Sequence, residues 1–141
     1  GLLIQDTEGA LAAIRALKAQ GVEVALDDFG TGYSSLGYLH RFPIAKIKID
    51  RSFVTDASTS RHSMAVLRSV MALAEGLAIR TIAEGIETQD QSRLLADLGC
   101  QEGQGYLFSR PVPSSAVSQL LRREIAPRFA PPSQLPMTAV A

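Results

Sequence analysis

Three features that many classes of protein need are missing from this sequence. Cys100 is the only cysteine among the 141 residues, so an internal disulfide is impossible and a reducing compartment fits. Basic and acidic residues balance at 14 each, and this zero formal charge leaves no basic field to hold a nucleic acid polymer. No apolar run reaches the length of a membrane span. These absences disfavour a disulfide-stapled domain, a nucleic-acid-binding protein and a membrane-spanning segment.

The composition is that of one globular domain followed by a tail. Hydrophobic residues make up 46% of the chain, which is enough for a sizeable core at this length. After residue 125 the sequence is rich in proline and alanine and loses its periodicity. We therefore expect a folded region over residues 1–125 and a linker or disordered tail over residues 126–141.

The apolar periodicity predicts alternating helices and strands after a first amphipathic helix from Asp6 to Gln20. The strand that follows is predicted to be buried, because β-branched and apolar residues alternate along it. A repeated strand–helix order predicts an α/β fold with a parallel sheet. The predicted strands are Val22–Leu26, Ile44–Asp50, Ala78–Ala83 and Gly103–Phe108, and the later helices are Leu36–Arg41, Ser58–Leu77, Thr88–Leu98 and Ser114–Glu124.

Ionisable and amide residues cluster where the predicted strands end. Because the carboxyl ends of parallel strands meet at one edge, we expect these side chains to approach one another. Active sites of β/α barrels lie at this edge, but open doubly wound sheets also bind ligands there, so position alone does not separate the two folds. The residues concerned are Asp27, Asp28, Lys48, Asp50, Glu84, Glu87 and Gln104.

The adjacent Asp27 and Asp28 admit more than one interpretation. Two carboxylates at the end of a strand suit a hard cation, which takes oxygen ligands. Aspartates in turns also accept local backbone hydrogen bonds and cap the next helix, and the pair alone does not decide between these roles. A dinucleotide-binding glycine loop is disfavoured, because Ser35 occupies the third glycine position and two negative charges would face a pyrophosphate.

Taken together, these residues suit the cleavage of a phosphodiester. Asp27 and Asp28 could hold one or two divalent metal ions, and Lys48 could orient water or offset negative charge in the transition state. Glu84 could accept the proton of the attacking water or bind a second metal ion, and Gln104 could fix a water molecule or a phosphate oxygen. The alternative is a structural network in which Lys48 pairs with Asp27 or Glu84 only to remain buried.

Four motifs in the same order resemble the EAL family of cyclic di-GMP phosphodiesterases. The resemblance runs from Gly1 to about Leu121 and leaves out the proline-rich tail. The motifs are Asp27–Ser35 (DDFGTGYSS), Lys48–Val54 (KIDRSFV), Ala83–Thr88 (AEGIET) and Gly103–Pro111 (GQGYLFSRP).

The resemblance implies a TIM-type β/α barrel, of which this chain is the carboxyl-terminal half with about four β/α units. It implies hydrolysis of cyclic di-GMP to linear pGpG with Mg²⁺ or Mn²⁺, and a homodimer formed through the loop after Asp28 and adjacent helices. We expect a cytoplasmic location, with membrane tethering of the parent protein through an upstream domain left open. By the same resemblance, the metal ligands are Asp27 and Asp28. The catalytic residues are Glu84, Lys48 and Gln104. Glu87 supports the loop after the first strand, and Asp50 and Tyr106 contact the substrate.

The family's remaining metal ligands belong to an amino-terminal half whose motifs this sequence does not contain. We therefore expect residues 1–141 in isolation to bind metal weakly and to be inactive. A non-catalytic cyclic di-GMP receptor is the alternative function, although the retained Asp27, Asp28, Lys48 and Glu84 favour the enzyme.

Overall fold

The structure is a computed structural model that describes residues 7–30, Leu39 and residues 41–122. The predicted helix at Leu36–Arg41 lies outside this part except for Leu39 and Arg41, which are both helical, and the tail at 126–141 lies wholly outside it. In chain order the elements are α1 (Thr7–Ala19), β1 (Ala25–Phe29), β2 (Lys46–Ile49), α2 (Arg51–Thr55), α3 (Arg61–Gly76), β3 (Arg80–Ala83), α4 (Gln89–Asp97), β4 (Glu102–Gly103) and α5 (Ser114–Arg122).

The four described strands form one parallel sheet in the order β1-β2-β3-β4. Each strand therefore lies beside the next one in the sequence, as in the wall of a β/α barrel. A doubly wound sheet would contain a point at which the strand order reverses, and this sheet has none among the described strands. The topology thus favours the barrel over the open sheet.

The two faces of the sheet differ in chemistry. Ile47 and Ile49 of β2 are fully buried, and Lys46 and Lys48 alternate with them on the opposite face, as successive residues of a strand do. The buried face packs against helices and continues through Ala83 of β3 into one hydrophobic core. Burying each such isoleucine contributes about 1.5–3 kcal/mol to folding. The core therefore fixes which side of the sheet carries the lysines.

The prediction of a buried first strand was wrong. The strand begins at Ala25 rather than at Val22, which is 45% exposed, and it includes both Asp27 and Asp28. Among the described strands, β1 lies at the edge of the sheet, so it is covered less than an internal strand. Its pairing with β2 shifts register between Leu26 and Phe29, and Asp28 within this irregularity has a φ of 50°.

Hydrogen-bonded caps fix where three helices begin. Thr88 and Gln91 form a capping box at the start of α4. The Ser60 side chain accepts the hydrogen bond that opens α3, so this helix starts later than the predicted Ser58. Asp50 caps α2.

The fourth strand is shorter than predicted. It comprises Glu102 and Gly103, whereas the prediction extended it to Phe108. The reason is that the backbone turns after Gln104, with the Leu107 N–H donating to Ile86 O at 3.0 Å and the Phe108 N–H to Gly105 O at 3.1 Å. This turn brings the end of β4 against the loop that follows β3.

Cys100 is fully buried, and burial raises the pKa of its thiol. A buried thiol with a raised pKa is a weak nucleophile, and Cys100 packs in the hydrophobic core. Over the ranges that the structure describes, none of the helices is both long and apolar enough to cross a lipid bilayer.

Candidate active site

An ammonium group joins two carboxylates across three neighbouring strands at the carboxyl edge of the sheet. Lys48 Nζ lies 2.7 Å from Asp27 Oδ1 and 2.6 Å from Glu84 Oε1. Asp27 belongs to β1, Lys48 to β2, and Glu84 directly follows β3. The structure thus brings together three of the residues that the sequence placed in one site, and we call them the rim trio.

The sheet itself produces this convergence. Lys48 lies on the face opposite the buried isoleucines, so its side chain leaves the core. The Glu84 N–H donates to Ile49 O at 3.1 Å, which continues the pairing of β2 with β3 one residue beyond the strand. Backbone pairing therefore sets the spacing between Lys48 and Glu84 before any side chain contact forms.

Hydrogen bonding within the rim trio changes the protonation equilibria. The hydrogen bond from Lys48 lowers the pKa of Asp27. The hydrogen bond to Asp27 has the largest effect on the pKa of Lys48 and raises it, and the hydrogen bond to Glu84 raises it further. Together they outweigh desolvation by burial, which lowers this pKa. Lys48 is consequently a permanent cation at neutral pH, and it cannot act there as a general base.

Asp28 follows Asp27 in β1, and successive side chains of a strand point to opposite faces of the sheet. The Asp28 N–H donates to Asp27 Oδ1 at 3.1 Å, so Asp27 accepts both a backbone and a lysine hydrogen bond. The helix that the aspartates could cap was predicted at Leu36–Arg41, of which the structure describes only Leu39 and Arg41, so the capping interpretation stays open.

Gln104 reaches the rim through its backbone. Its N–H donates to Ala83 O at 2.8 Å, and its carbonyl accepts from the Ile86 N–H at 3.1 Å. A side chain at Gly105 would overlap the backbone of Ile86, so only glycine permits this close approach of the two loops. The side chain of Gln104 is exposed, and its predicted catalytic role stays a prediction.

Asp50 and Glu87 make contacts outside the rim trio. Asp50 accepts from the Ser52 N–H at 2.9 Å and from the Ser52 hydroxyl, and these hydrogen bonds lower the pKa of Asp50. Glu87 pairs with Arg51 at 2.8 Å. Most of the segment after β1 that Glu87 was predicted to support lies outside the described residues, so this role and substrate binding by Asp50 stay predictions.

Tyr106 is half exposed beyond the end of β4. The guanidinium carbon of Arg110 lies 4.5 Å from the centre of its ring, a cation–π arrangement. The exposed ring and the cation are the kind of surface on which a base can stack, and substrate contact by Tyr106 remains a prediction.

A second ion-pair network on the same face was not predicted from the sequence. It lies toward the amino end of the strands, and we call it the lower network. Lys46 lies 2.8 Å from Glu102, and Arg80 contacts both Glu102, at 3.2 Å, and Glu23. The alternation of the two lysines with isoleucines was visible in the sequence, but the partners Glu23 and Glu102 lie before β1 and on β4, and only the order of the strands brings them together.

The fit of the rim to a divalent cation is partial. Carboxylate oxygens are the donors that such cations take, and Asp27 and Glu84 approach a common point. Within residues 7–30, 39 and 41–122, however, the structure contains no cluster of three or more acidic, histidine or cysteine side chains able to hold a metal ion. The described residues by themselves therefore do not form a complete cation site.

Comparison with known proteins identifies the family. The family model of the EAL domain matches residues 2–111. The chain belongs to the EAL domain family. The resemblance noted in the sequence is thereby confirmed, and it extends over the rim trio and the turn after β4.

Relatives and solved structures agree with this assignment. The cyclic di-GMP phosphodiesterase NbdA of Pseudomonas aeruginosa is 42% identical over 120 residues, which are 85% of this chain and 15% of NbdA. The structure of the phosphodiesterase PaMucR in complex with c-di-GMP superposes with a TM-score of 0.75 at 39% identity over 81% of this chain and 46% of that one. The Klebsiella pneumoniae BlrP1 structure, a complex with manganese and cyclic di-GMP, gives a TM-score of 0.70 at 39% identity over 77% of this chain and 28% of that one.

These similarities confirm the predicted fold class, in which the EAL chain is part of a β/α barrel. The chain spans about a fifth or less of the length of the curated relatives it matches.

Proposed function

We propose that the EAL chain forms the carboxyl-terminal part of a metal-dependent cyclic di-GMP phosphodiesterase site that yields pGpG. The observation that carries this proposal is the rim trio, in which a cation bridges two carboxylates at the carboxyl edge of three strands. NbdA, a named cyclic di-GMP phosphodiesterase, and the cyclic di-GMP complexes of MucR and BlrP1 support the choice of substrate.

Each member of the rim trio has a role that follows from its charge and contacts. Lys48 stays protonated and stabilises the negative charge that develops on the phosphate oxygens. Glu84 is the residue that accepts the proton of the attacking water or, alternatively, binds a second cation. Asp27 presents a carboxylate that is already ionised, because hydrogen bonding lowers its pKa.

Asp27 and Asp28 would bind the divalent cation, for which we propose Mg²⁺ or Mn²⁺. When bound, the cation would polarise the phosphate and acidify a water molecule. The manganese complex of BlrP1 supports a divalent cation in this family. Because the described residues provide only part of a cation site, residues 1–141 in isolation are expected to bind metal weakly and to remain inactive.

Three residues outside the rim trio, Gln104, Asp50 and Tyr106, complete the proposed substrate site. Gln104 would fix a water molecule or a phosphate oxygen, and Asp50 and Tyr106 would contact the nucleotide. Glu87 would support the loop after β1. We also propose that the native protein forms a homodimer through the loop after Asp28 and adjacent helices, and that this domain lies in the cytoplasm.

Hydrolysis by the native full-length protein tests the function directly. We expect cyclic di-GMP to be converted to pGpG in the presence of Mg²⁺ or Mn²⁺, as followed by chromatography of the nucleotides. Glu84→Gln keeps the shape of the side chain but removes its proton acceptor, so we expect kcat to fall about 10²- to 10⁴-fold. An unchanged kcat in this variant would remove Glu84 from the mechanism.

The same assay separates the enzyme from a non-catalytic receptor. If the wild-type protein bound cyclic di-GMP in equilibrium dialysis without producing pGpG under any of these metal conditions, the receptor function would replace the proposed one. Activity of isolated residues 1–141 would contradict the expectation that the EAL chain provides only part of the site.

A further inference from the structure

Arg51 contacts the loop that carries Glu84, and the proposed function gives it no role. Its guanidinium Nη2 lies 2.8 Å from Glu87 Oε1, and Glu87 is only three positions beyond Glu84. Arg51 is the first residue of α2, directly after the cap Asp50. A side chain that starts at the end of β2 therefore reaches across to the loop after β3.

The stem of Arg51 covers the turn of this loop. Gly85 has a φ of 69°, and a side chain added there would overlap the methylene groups of Arg51. The backbone of Gly85 thus lies directly against the Arg51 stem, while the Arg51 head holds Glu87. One side chain fixes the loop at two points, immediately after Glu84 and at Glu87.

Backbone hydrogen bonds anchor the rest of the loop. The N–H groups of Ile86 and Glu87 donate to Gln104 O at 3.1 Å and Gln91 Oε1 at 2.8 Å. On the strand side, Glu84 N–H is bonded to Ile49 O. Gly85, the turning residue between these anchors, is the one that Arg51 covers.

We propose that Arg51 is a positioning residue, which clamps the loop 84–87 through Gly85 and Glu87 and so holds the Glu84 carboxylate against Lys48. The catalytic part of this inference rests on the proposed function, whereas the clamp is a property of the fold. Because the side chains of Arg51 and Glu87 are 61% and 42% exposed, their pair should add little to global stability. The effect should be local to the loop.

Hydrogen–deuterium exchange of the native full-length protein tests the clamp without requiring activity. In Arg51→Ala we expect the amides of residues 84–87 to exchange up to about fivefold faster, with the core strands unchanged. Arg61→Ala is the matched control, because Arg61 is likewise the first residue of a helix after its cap. Equal exchange in the two variants would overturn the proposal.

Kinetics tests whether the clamp acts through Glu84. We expect Arg51→Ala to lower kcat by about tenfold with little change in KM, and Arg51→Lys to restore part of it. In a Glu84→Gln background the further loss should be close to none, since the group being positioned is gone. A full additional loss in that background would show that Arg51 acts independently of Glu84 and would overturn its positioning role.

Hydrogen–deuterium exchange and kinetics test the clamp and the proposed function separately. If wild-type protein did not hydrolyse cyclic di-GMP, the proposed function would fail, but the exchange comparison would still decide whether Arg51 clamps the loop. If Arg51→Ala did not fold, Glu87→Gln would remove the same ion pair with little change of shape, and the same exchange result would be expected of it.

Discussion

The rim trio and the lower network use the same kinds of side chain on the same face of the sheet, yet their charges balance differently. In the lower network, two cations, Lys46 and Arg80, meet two carboxylates, Glu23 and Glu102. In the rim trio, one cation, Lys48, meets two carboxylates, Asp27 and Glu84. Among the described residues, the lower network thus has as many cations as carboxylates, whereas the rim trio has one carboxylate more than it has cations.

This difference in charge balance fits a structural role for the lower network and a cation-binding role for the rim trio. A neutral network satisfies the polar groups on an open sheet face and has no remaining charge to attract a cation. An acidic excess at the carboxyl edge can attract a divalent cation. The surplus of carboxylates, rather than the presence of ion pairs, is therefore the feature of the rim trio that supports the proposed cation site.

Replacing Lys48 or Lys46 separately with methionine should give the largest difference in activity between two variants. Lys48→Met removes the cation of the rim trio, and we expect kcat to fall about 10²- to 10³-fold, as when one transition-state donor is lost. Lys46→Met is the matched control, because Lys46 lies on the same strand and face with 24% exposure against 27% for Lys48. Steady-state hydrolysis of cyclic di-GMP measures both variants, and equal losses would contradict the division into two networks.

The isoleucine between the two lysines should affect both networks through folding. Ile47→Ala opens a cavity in a fully buried position, and we expect a loss of about 2–5 kcal/mol in the free energy of unfolding. Leu121→Ala is the control, because Leu121 is 74% exposed on α5 and should change stability by less than about 0.5 kcal/mol. Urea denaturation measures this difference, and a tolerated Ile47→Ala would contradict the assignment of the buried face.

The smallest expected effect is on the pH dependence of stability. Since the pKa of Asp27 is lower in the folded state than its ordinary value of 3.8, its stabilising contribution is complete above that value. The contribution is lost as the pH falls through the lower folded-state pKa, and it is small because Asp27 is 61% exposed.

Asp27→Asn should therefore make the stability of the folded state depend less on pH under acidic conditions. Glu23→Gln, in the lower network, serves as the comparison. Thermal unfolding from pH 2 to 7 provides the measurement. An unchanged pH dependence in Asp27→Asn would show that the hydrogen bond to Lys48 does not stabilise the folded state.

The sequence alone determined the fold class, the family and the alternation of Ile47 and Ile49 with Lys46 and Lys48, because period-two patterning and local motifs are properties of neighbouring residues. Tertiary structure decided the rest. It placed Val22 ahead of β1, where its side chain is 45% exposed, and it paired Lys46 with Glu102, 56 residues away. Arg51 could not be identified as a partner of Glu87 from spacing, since their contact depends on how β2 and β3 lie side by side. Contacts between strands are set by pairing and register, which a single sequence does not state.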